Sequence, residues 1–215
     1  MIIADGGPPP PGADPRDTEW HWPVRGRPRK AKGVFVVLRT DQVRMPDGDV
    51  APRDVVEHPG AVAVVALDDT GQVLLIRQYR HPAGQLLWEI PAGVRDVPGE
   101  PVHRTGQREL CEETGYTART WHVLADFYTS PGISTERVTV YLARGLDRVP
   151  DAERGLPLRH EEAHLRTAWV PLDRAVQLFL SGELHNGVAA VGILAAYAAR
   201  QGGFAMLREA GAGEG

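Results

Sequence analysis

The stretch that most restricts what this chain can be runs from Gly93 to Tyr116, GVRDVPGEPVHRTGQRELCEETGY. A loop rich in proline and glycine leads into about three turns of predicted helix ending at Gly115, where a glycine suits a helix C-terminus. Within it Glu109, Glu112 and Glu113 stand at i, i+3 and i+4, and ~100° per residue sets all three carboxylates on one face. Like charges so placed repel by roughly 0.2–0.5 kcal/mol per pair in an isolated helix. They also fall in the last turn, where the macrodipole disfavours negative charge. Local stability argues against the arrangement, and a hard divalent cation reverses the argument. Mg2+ or Mn2+ takes oxygen ligands, a few of them carboxylates, and completes its shell with water and substrate phosphates. On the three glutamates alone, a solvated acidic face remains the plain alternative.

The chain around this helix has room for a domain and an appendage, with 215 residues of which 42% are hydrophobic. A net charge of −4 gives no basic footprint for nucleic acid. No apolar run approaches the ~20 residues of a membrane span, and the first residues follow no signal-peptide pattern. Cys111 is the single cysteine, which excludes an intrachain disulfide, and its acidic neighbours suit a small helix residue rather than a reactive thiolate. A cytoplasmic protein that binds neither nucleic acid nor membrane is expected.

Residues 1–16, with their GGPPPPG run, are expected to be a disordered tail. Trp20 and Trp22 are too aromatic for a tail and are expected to pack. Residues 17–58 read as a small antiparallel β appendage, with strands at 33–44 and 50–57 about the Pro46-Asp47-Gly48-Asp49 turn. The main domain, 59–203, opens on the unbroken apolar run 61–67, as a buried central strand requires. Further strands are predicted at 73–79, 86–90, 121–128, 137–143 and 168–170, and helices at 173–180 and 187–199. Residues 204–215 read as a C-terminal tail. Strands interleaved with a few helices define an α/β or α+β sandwich with a mixed sheet.

The segment closing on Gly115 resembles the signature of the Nudix hydrolases: a glycine, a spacer, a glutamate, seven residues, then Arg-Glu-Leu-x-Glu-Glu-x-Gly-hydrophobic. The matching residues are Gly93, Glu100, Arg108, Glu109, Leu110, Glu112, Glu113, Gly115 and Tyr116. One departure is plain, since six residues separate Gly93 from Glu100 where the pattern has five. The resemblance implies the Nudix α/β/α sandwich and a metal-dependent attack of water on a phosphoanhydride. It implies that Glu109 and Glu113 ligate Mg2+ or Mn2+ with the Ala92 carbonyl, that Glu112 shares a further ion, and that Glu100 orients Arg108. Thr105 and Gly106 depart again, because the family usually has alanines there, and a mid-helix glycine costs ~1 kcal/mol against alanine. Gly106 faces the predicted sheet, where it would permit close approach.

Within the family the chain is most similar to the ADP-ribose pyrophosphatases of actinobacteria. The features are Trp88-Glu89-Ile90-Pro91-Ala92-Gly93, the Arg77-Gln78-Tyr79-Arg80 strand, and Pro131 sixteen residues beyond Gly115. The closing Glu183-Leu184-His185-Asn186 segment adds to them. This resemblance implies a nucleoside diphosphate substrate, ADP-ribose, cleaved to AMP and ribose 5-phosphate by a homodimer. Arg53 and Arg80 would contact the diphosphate or ribose, since guanidinium forks suit phosphate oxygens. Glu89, Pro131, Gly132 and Glu136 are further candidate contacts. Adenine needs an aromatic face, for which Trp20, Trp22 and Tyr79 are candidates. The general base is expected on the loop between Leu146 and Leu165, as either Glu161 or Glu162.

Two readings of other classes compete. His160-Glu161-Glu162-Ala163-His164 matches the zinc-protease pattern, whose histidines must share one helical face. Gly155-Leu156-Pro157 before it and a predicted strand after it give no helix, and no third ligand follows at a recognised spacing. A nucleotide-sensing module without catalysis is the second. Such modules typically carry a damaged signature and a fused DNA-binding domain, whereas every metal carboxylate is present here.

Overall fold

A computed structural model describes residues 17, 21–150 and 165–211. The chain first builds a four-stranded antiparallel sheet from β1 (Val24–Gly26), β2 (Arg29–Lys32), β3 (Val37–Arg44) and β4 (Val50–Glu57), in which β3 pairs with the other three. The expected strand from residue 33 starts later, at Val37, because Gly33 N–H turns back onto the Val36 carbonyl at 2.8 Å. β1 and β2 escape sequence reading because they carry no apolar alternation and form only as partners of β3.

The main domain opens with β5 (Ala61–Ala66), then β6 (Gln72–Arg80), a single 3-10 turn, β7 (Gln85–Glu89), β8 (Ala92–Val94) and α1 (Val102–Thr114). It continues through β9 (Tyr116–Tyr128), β10 (Arg137–Arg148), β11 (Arg166–Pro171), α2 (Leu172–Leu180), α3 (Gly187–Gln201) and β12 (Arg208–Glu209). The larger sheet has the order β12-β9-β10-β5-β8, with β5 and β10 parallel and the other pairs antiparallel. β11, β6 and β7 form a smaller antiparallel sheet.

The reason β5 is apolar without interruption is that both its faces are covered. Ala63 and Val65 enter a core with Leu172 and Ala175 of α2 and Ala189, Ile193 and Ala196 of α3. Val64 and Ala66 pack on the other side against Leu110 of α1. Successive side chains alternate between the two faces, so burying both requires the continuous run. Helices on either side of a mixed sheet make the α/β/α sandwich that the sequence implied. α1 lies close to that sheet: a Cβ on Gly106 would stand 3.0 Å from Val62 Cγ1.

Residues 204–211 do not form a free tail. Arg208 and Glu209 pair with Val123 and His122 at the edge of the large sheet, and Ala210 packs with Val62, Val123 and Tyr141. β9 and β10 run longer than expected, pairing from Arg137–Tyr128 to Arg148–Tyr116. Among the described residues no helix is long and apolar enough to cross a membrane.

Candidate active site

α1 has little local chemistry in its favour. Pro101 at its N-cap contributes no side-chain hydrogen bond, no acidic residue stands in the first turn, and no basic residue in the last. Gly115 closes it in the left-handed region at φ 73°, its N–H bonding the Cys111 carbonyl at 2.8 Å. Contacts to the rest of the fold position the carboxylates instead. Glu113 is 4% exposed, and its Oε2 accepts the Ala92 N–H of β8 at 3.0 Å. The Glu109 carboxylate lies against Gly93, so closely that a Cβ there would overlap it.

Arg108 gathers the acids from the same helix. Its Nη1 stands 2.7 Å from Glu109 Oε1 and 3.2 Å from Glu112 Oε2, and its Nε 3.5 Å from Glu100 Oε1. Burial works to lower the Arg108 pKa, but the Glu109 charge, the Glu100 hydrogen bond and the Glu112 charge outweigh it and the net shift is upward. Glu100 also accepts the hydroxyl of buried Thr105 at 2.8 Å. That bond, with Arg108 adding to it, holds the Glu100 carboxyl below its ordinary pKa despite partial burial.

Among the described residues no three acidic, histidine or thiol groups already converge on one point. The donors do fit a hard divalent cation in kind. Glu109 and Glu113 offer oxygen only, they flank Ala92 and Gly93, and Arg108 meanwhile supplies the counter-charge that a cation would take over.

A cavity of about 350 Å3 opens beside this face, with Ala92 and Gly93 in its wall. Arg80 and Glu89 line it too. The Arg80 guanidinium grips the Glu89 carboxylate, Nε to Oε1 at 2.9 Å and Nη2 to Oε2 at 2.6 Å, and Glu89 is only 2% exposed. Glu136 lines the same cavity, at the end of the 129–136 loop that carries Pro131 and Gly132. Pro131 and Gly132 are exposed and do not line it. A larger cavity, about 690 Å3, lies under the 95–101 loop, which includes Glu100, and touches the carboxylate helix through Val102 at its first turn.

The other candidates divide. Arg53 is not among the cavity residues; on β4 its Nη1 bonds the Pro52 carbonyl at 2.8 Å. Tyr79 and Trp22 are exposed and line neither cavity. Trp20, Glu161 and Glu162, and the whole His160–His164 motif, lie outside the described residues. Sequence reasoning missed Phe35 and His58, which both line the smaller cavity with their rings edge to face at 5.5 Å. The His58-Pro59-Gly60 turn was the only local signal for the second of them.

A sheet edge marked by glycine, a helix presenting carboxylates to it and an arginine-bearing cavity lie side by side, donors of the kinds that suit a divalent cation and phosphate oxygens. The model of the NUDIX domain matches residues 57–189, and the chain belongs to that family as a Nudix hydrolase. Members of the family generally use divalent metal ions. The chain is 50% identical over 170 residues to an ADP-ribose pyrophosphatase of Mycobacterium tuberculosis, covering 79% of this chain and 80% of that one. An ADP-ribose pyrophosphatase of Bacillus subtilis is 38% identical over 161 residues, with 75% and 84% covered. The fold is shared with a crystal structure of an ADP compounds hydrolase, at a TM-score of 0.70 and 18% identity, over 87% of this chain and 98% of the other.

Proposed function

We propose that the chain hydrolyses the diphosphate bond of ADP-ribose to AMP and ribose 5-phosphate, using Mg2+ or Mn2+. The observation that carries this reading is the placement of one cavity, largely apolar with a few charged groups in its wall, against the carboxylate face. Arg80 stands in it for a diphosphate and Glu136 for sugar hydroxyls, while Ala92 and Gly93 join it to Glu109 and Glu113. The two similar pyrophosphatases support the same substrate.

In this reading Glu109, Glu113 and the Ala92 carbonyl hold the metal, and Glu112 shares a further ion. When bound, the cation supplies charge neutralisation at the phosphate oxygens and makes water more acidic. Glu100 fixes Arg108, and Arg108 in turn fixes Glu109 and Glu112, as outer partners commonly orient metal ligands. Buried Glu89 aims Arg80 at the diphosphate, while Arg53 and the Pro131-Gly132 loop, outside the cavity wall, are left to contact the part of the substrate that extends beyond it. Glu161 or Glu162 removes the proton from water as its oxygen bonds to phosphorus and the P–O bond to the leaving phosphate breaks. The setting we propose is a cytoplasmic homodimer, joined through the N-terminal sheet and its 33–36 turn, where Val34, Phe35, Leu38 and Val50 are exposed.

The test is product formation from ADP-ribose, NADH, a nucleotide sugar, diadenosine polyphosphates and nucleoside triphosphates, each with Mg2+, with Mn2+ and with chelator. Metal-dependent AMP release greatest for ADP-ribose is the expected result. Faster hydrolysis of another member would keep the carboxylate helix and overturn the substrate. No turnover of any diphosphate would overturn the enzymatic reading in favour of a nucleotide-sensing module.

A further inference from the structure

No part in the hydrolysis has fallen to His58, although it stands in the wall of the smaller cavity with only 10% of its side chain exposed. It follows β4 directly, and it joins the N-terminal sheet to the 129–136 loop. Its backbone N–H donates to Thr135 Oγ1 at 2.9 Å. Its ring Nδ1 accepts the Gly60 N–H at 3.0 Å. An accepting Nδ1 bears no proton, so the neutral ring carries its hydrogen on Nε2. That nitrogen is the one turned to Glu136, 3.8 Å from its Oε1. The other carboxylate oxygen, Oε2, accepts the Thr129 hydroxyl at 2.6 Å.

Glu136 is therefore addressed at both oxygens, by a hydrogen bond from its own loop and by the imidazole from the end of β4. A carboxylate has about four accepting sites, and these two contacts leave others to a ligand. Only a donor can use them, which suits a hydroxyl and rejects a phosphate oxygen. Arg80, tied to Glu89, offers the opposite preference in the same cavity.

We propose that His58 is a positioning residue that sets substrate specificity: with its ring orientation set by the Gly60 N–H, it turns the positive Nε2–H end of the ring toward Glu136 from 3.8 Å, beyond hydrogen-bond length, and so biases the carboxylate toward the place where it accepts hydroxyls of the substrate's sugar. The inference rests on the ADP-ribose reading of the same cavity.

Two substitutions separate the ring nitrogens. His58→Asn keeps an acceptor near the Nδ1 position and loses Nε2, while His58→Gln keeps a donor near Nε2 and loses the Gly60 contact. In His58→Asn the KM for ADP-ribose rises about threefold, the scale of a partly exposed polar contact to a charge without a hydrogen bond, while kcat stays within about twofold. Its melting temperature matches wild type. His58→Gln rescues KM and melts lower. Glu136→Gln raises KM as His58→Asn does, and the double variant is no worse than Glu136→Gln alone, because the two residues act as one unit. A wild-type KM in His58→Asn, or effects that multiply in the double variant, would overturn the assignment. So would a KM defect in both His58 variants that follows their loss of melting temperature. Wild-type protein inactive on ADP-ribose would remove the proposed substrate and this inference with it, whereas normal turnover with an unmoved KM removes the inference alone.

Discussion

α1 and α3 flank the same sheet, and they are stabilised by opposite means. α3 obeys the local rules for a helix. Asn186 caps it by accepting the Ala189 N–H at 2.8 Å, and Arg200 in its last turn pairs with Asp173 of α2 at 2.7 Å. Its inner face of Ala189, Gly192, Ile193 and Ala196 is buried. α1 breaks those rules: it has no side-chain cap, no acid at its start, and three glutamates toward its end. What keeps α1 helical is tertiary, namely Leu110 in the core, Glu113 on the Ala92 N–H and Arg108 among four acids. The difference teaches where stability has been given up for function. Repulsion that a capped, charge-matched helix would avoid is retained on the face that looks to β8.

The comparison breaks most sharply at Glu113. Glu113→Gln is expected to lower metal-dependent turnover below about a tenth of wild type, the scale of losing a metal carboxylate. Its amide oxygen still accepts the Ala92 N–H, and repulsion with Glu109, four residues back, is relieved by roughly 0.2–0.5 kcal/mol. Thermal melting in chelator should thus give an unchanged or raised midpoint beside the lost activity. Activity above that tenth would sink the metal role of Glu113.

One chemical change made on the two sides of the sheet sharpens the contrast. Gly93→Ala drives a methyl into the Glu109 carboxylate, so activity should fall at least about tenfold, as misplacement of a catalytic group can cost more than that. Gly192→Ala meets Ile90 Cδ1 at 2.8 Å, Val65 Cγ2 at 3.0 Å and Val140 Cγ1 at 3.3 Å. Overpacking costs ~1–3 kcal/mol, against which a helical alanine returns ~1 kcal/mol, leaving a net loss of up to about 2 kcal/mol. Urea denaturation and activity measured on both variants decide the matter. Gly93→Ala should lose function and keep most of its stability, and Gly192→Ala the reverse.

How much of this was legible in the sequence follows from the range of each interaction. The carboxylate face needs only a 3.6-residue period over five positions, and β5 only a run of apolar residues, so both could be read locally. Gly106 was legible in the same way, as a small residue on the sheet-facing side of a periodic helix. β8 and β12 were not, because three or two residues form a strand only when an edge is offered to them. The cavity wall was the least legible part. Phe35 and His58 reach it through the Val56–Ser134 bridge and the His58–Thr135 bond, contacts between segments some eighty residues apart. Arg53 and Arg80 look alike as arginines on strands, and only pairing distinguishes them, with Pro52 for one and buried Glu89 for the other.

The smallest effect expected is at Glu100, where α1 is tied to the loop before it. The Thr105 hydroxyl and then Arg108 hold the Glu100 carboxyl below the ordinary glutamate value of about 4.3. A group whose folded pKa is depressed adds stability above its unfolded pKa, and that contribution is lost as pH falls through the folded value, since both states are then protonated. Thr105→Val removes the first of the two causes while keeping nearly the same buried volume. At neutral pH the variant should be slightly less stable than wild type, and the gap should close as pH falls from about 4.3 through the depressed value. Urea denaturation of both proteins at steps across that window reads the gap directly. A gap that stays constant with pH would mean that the hydroxyl stabilises α1 through packing rather than through the charge of Glu100, and α1 would then resemble α3 more closely than its sequence allows.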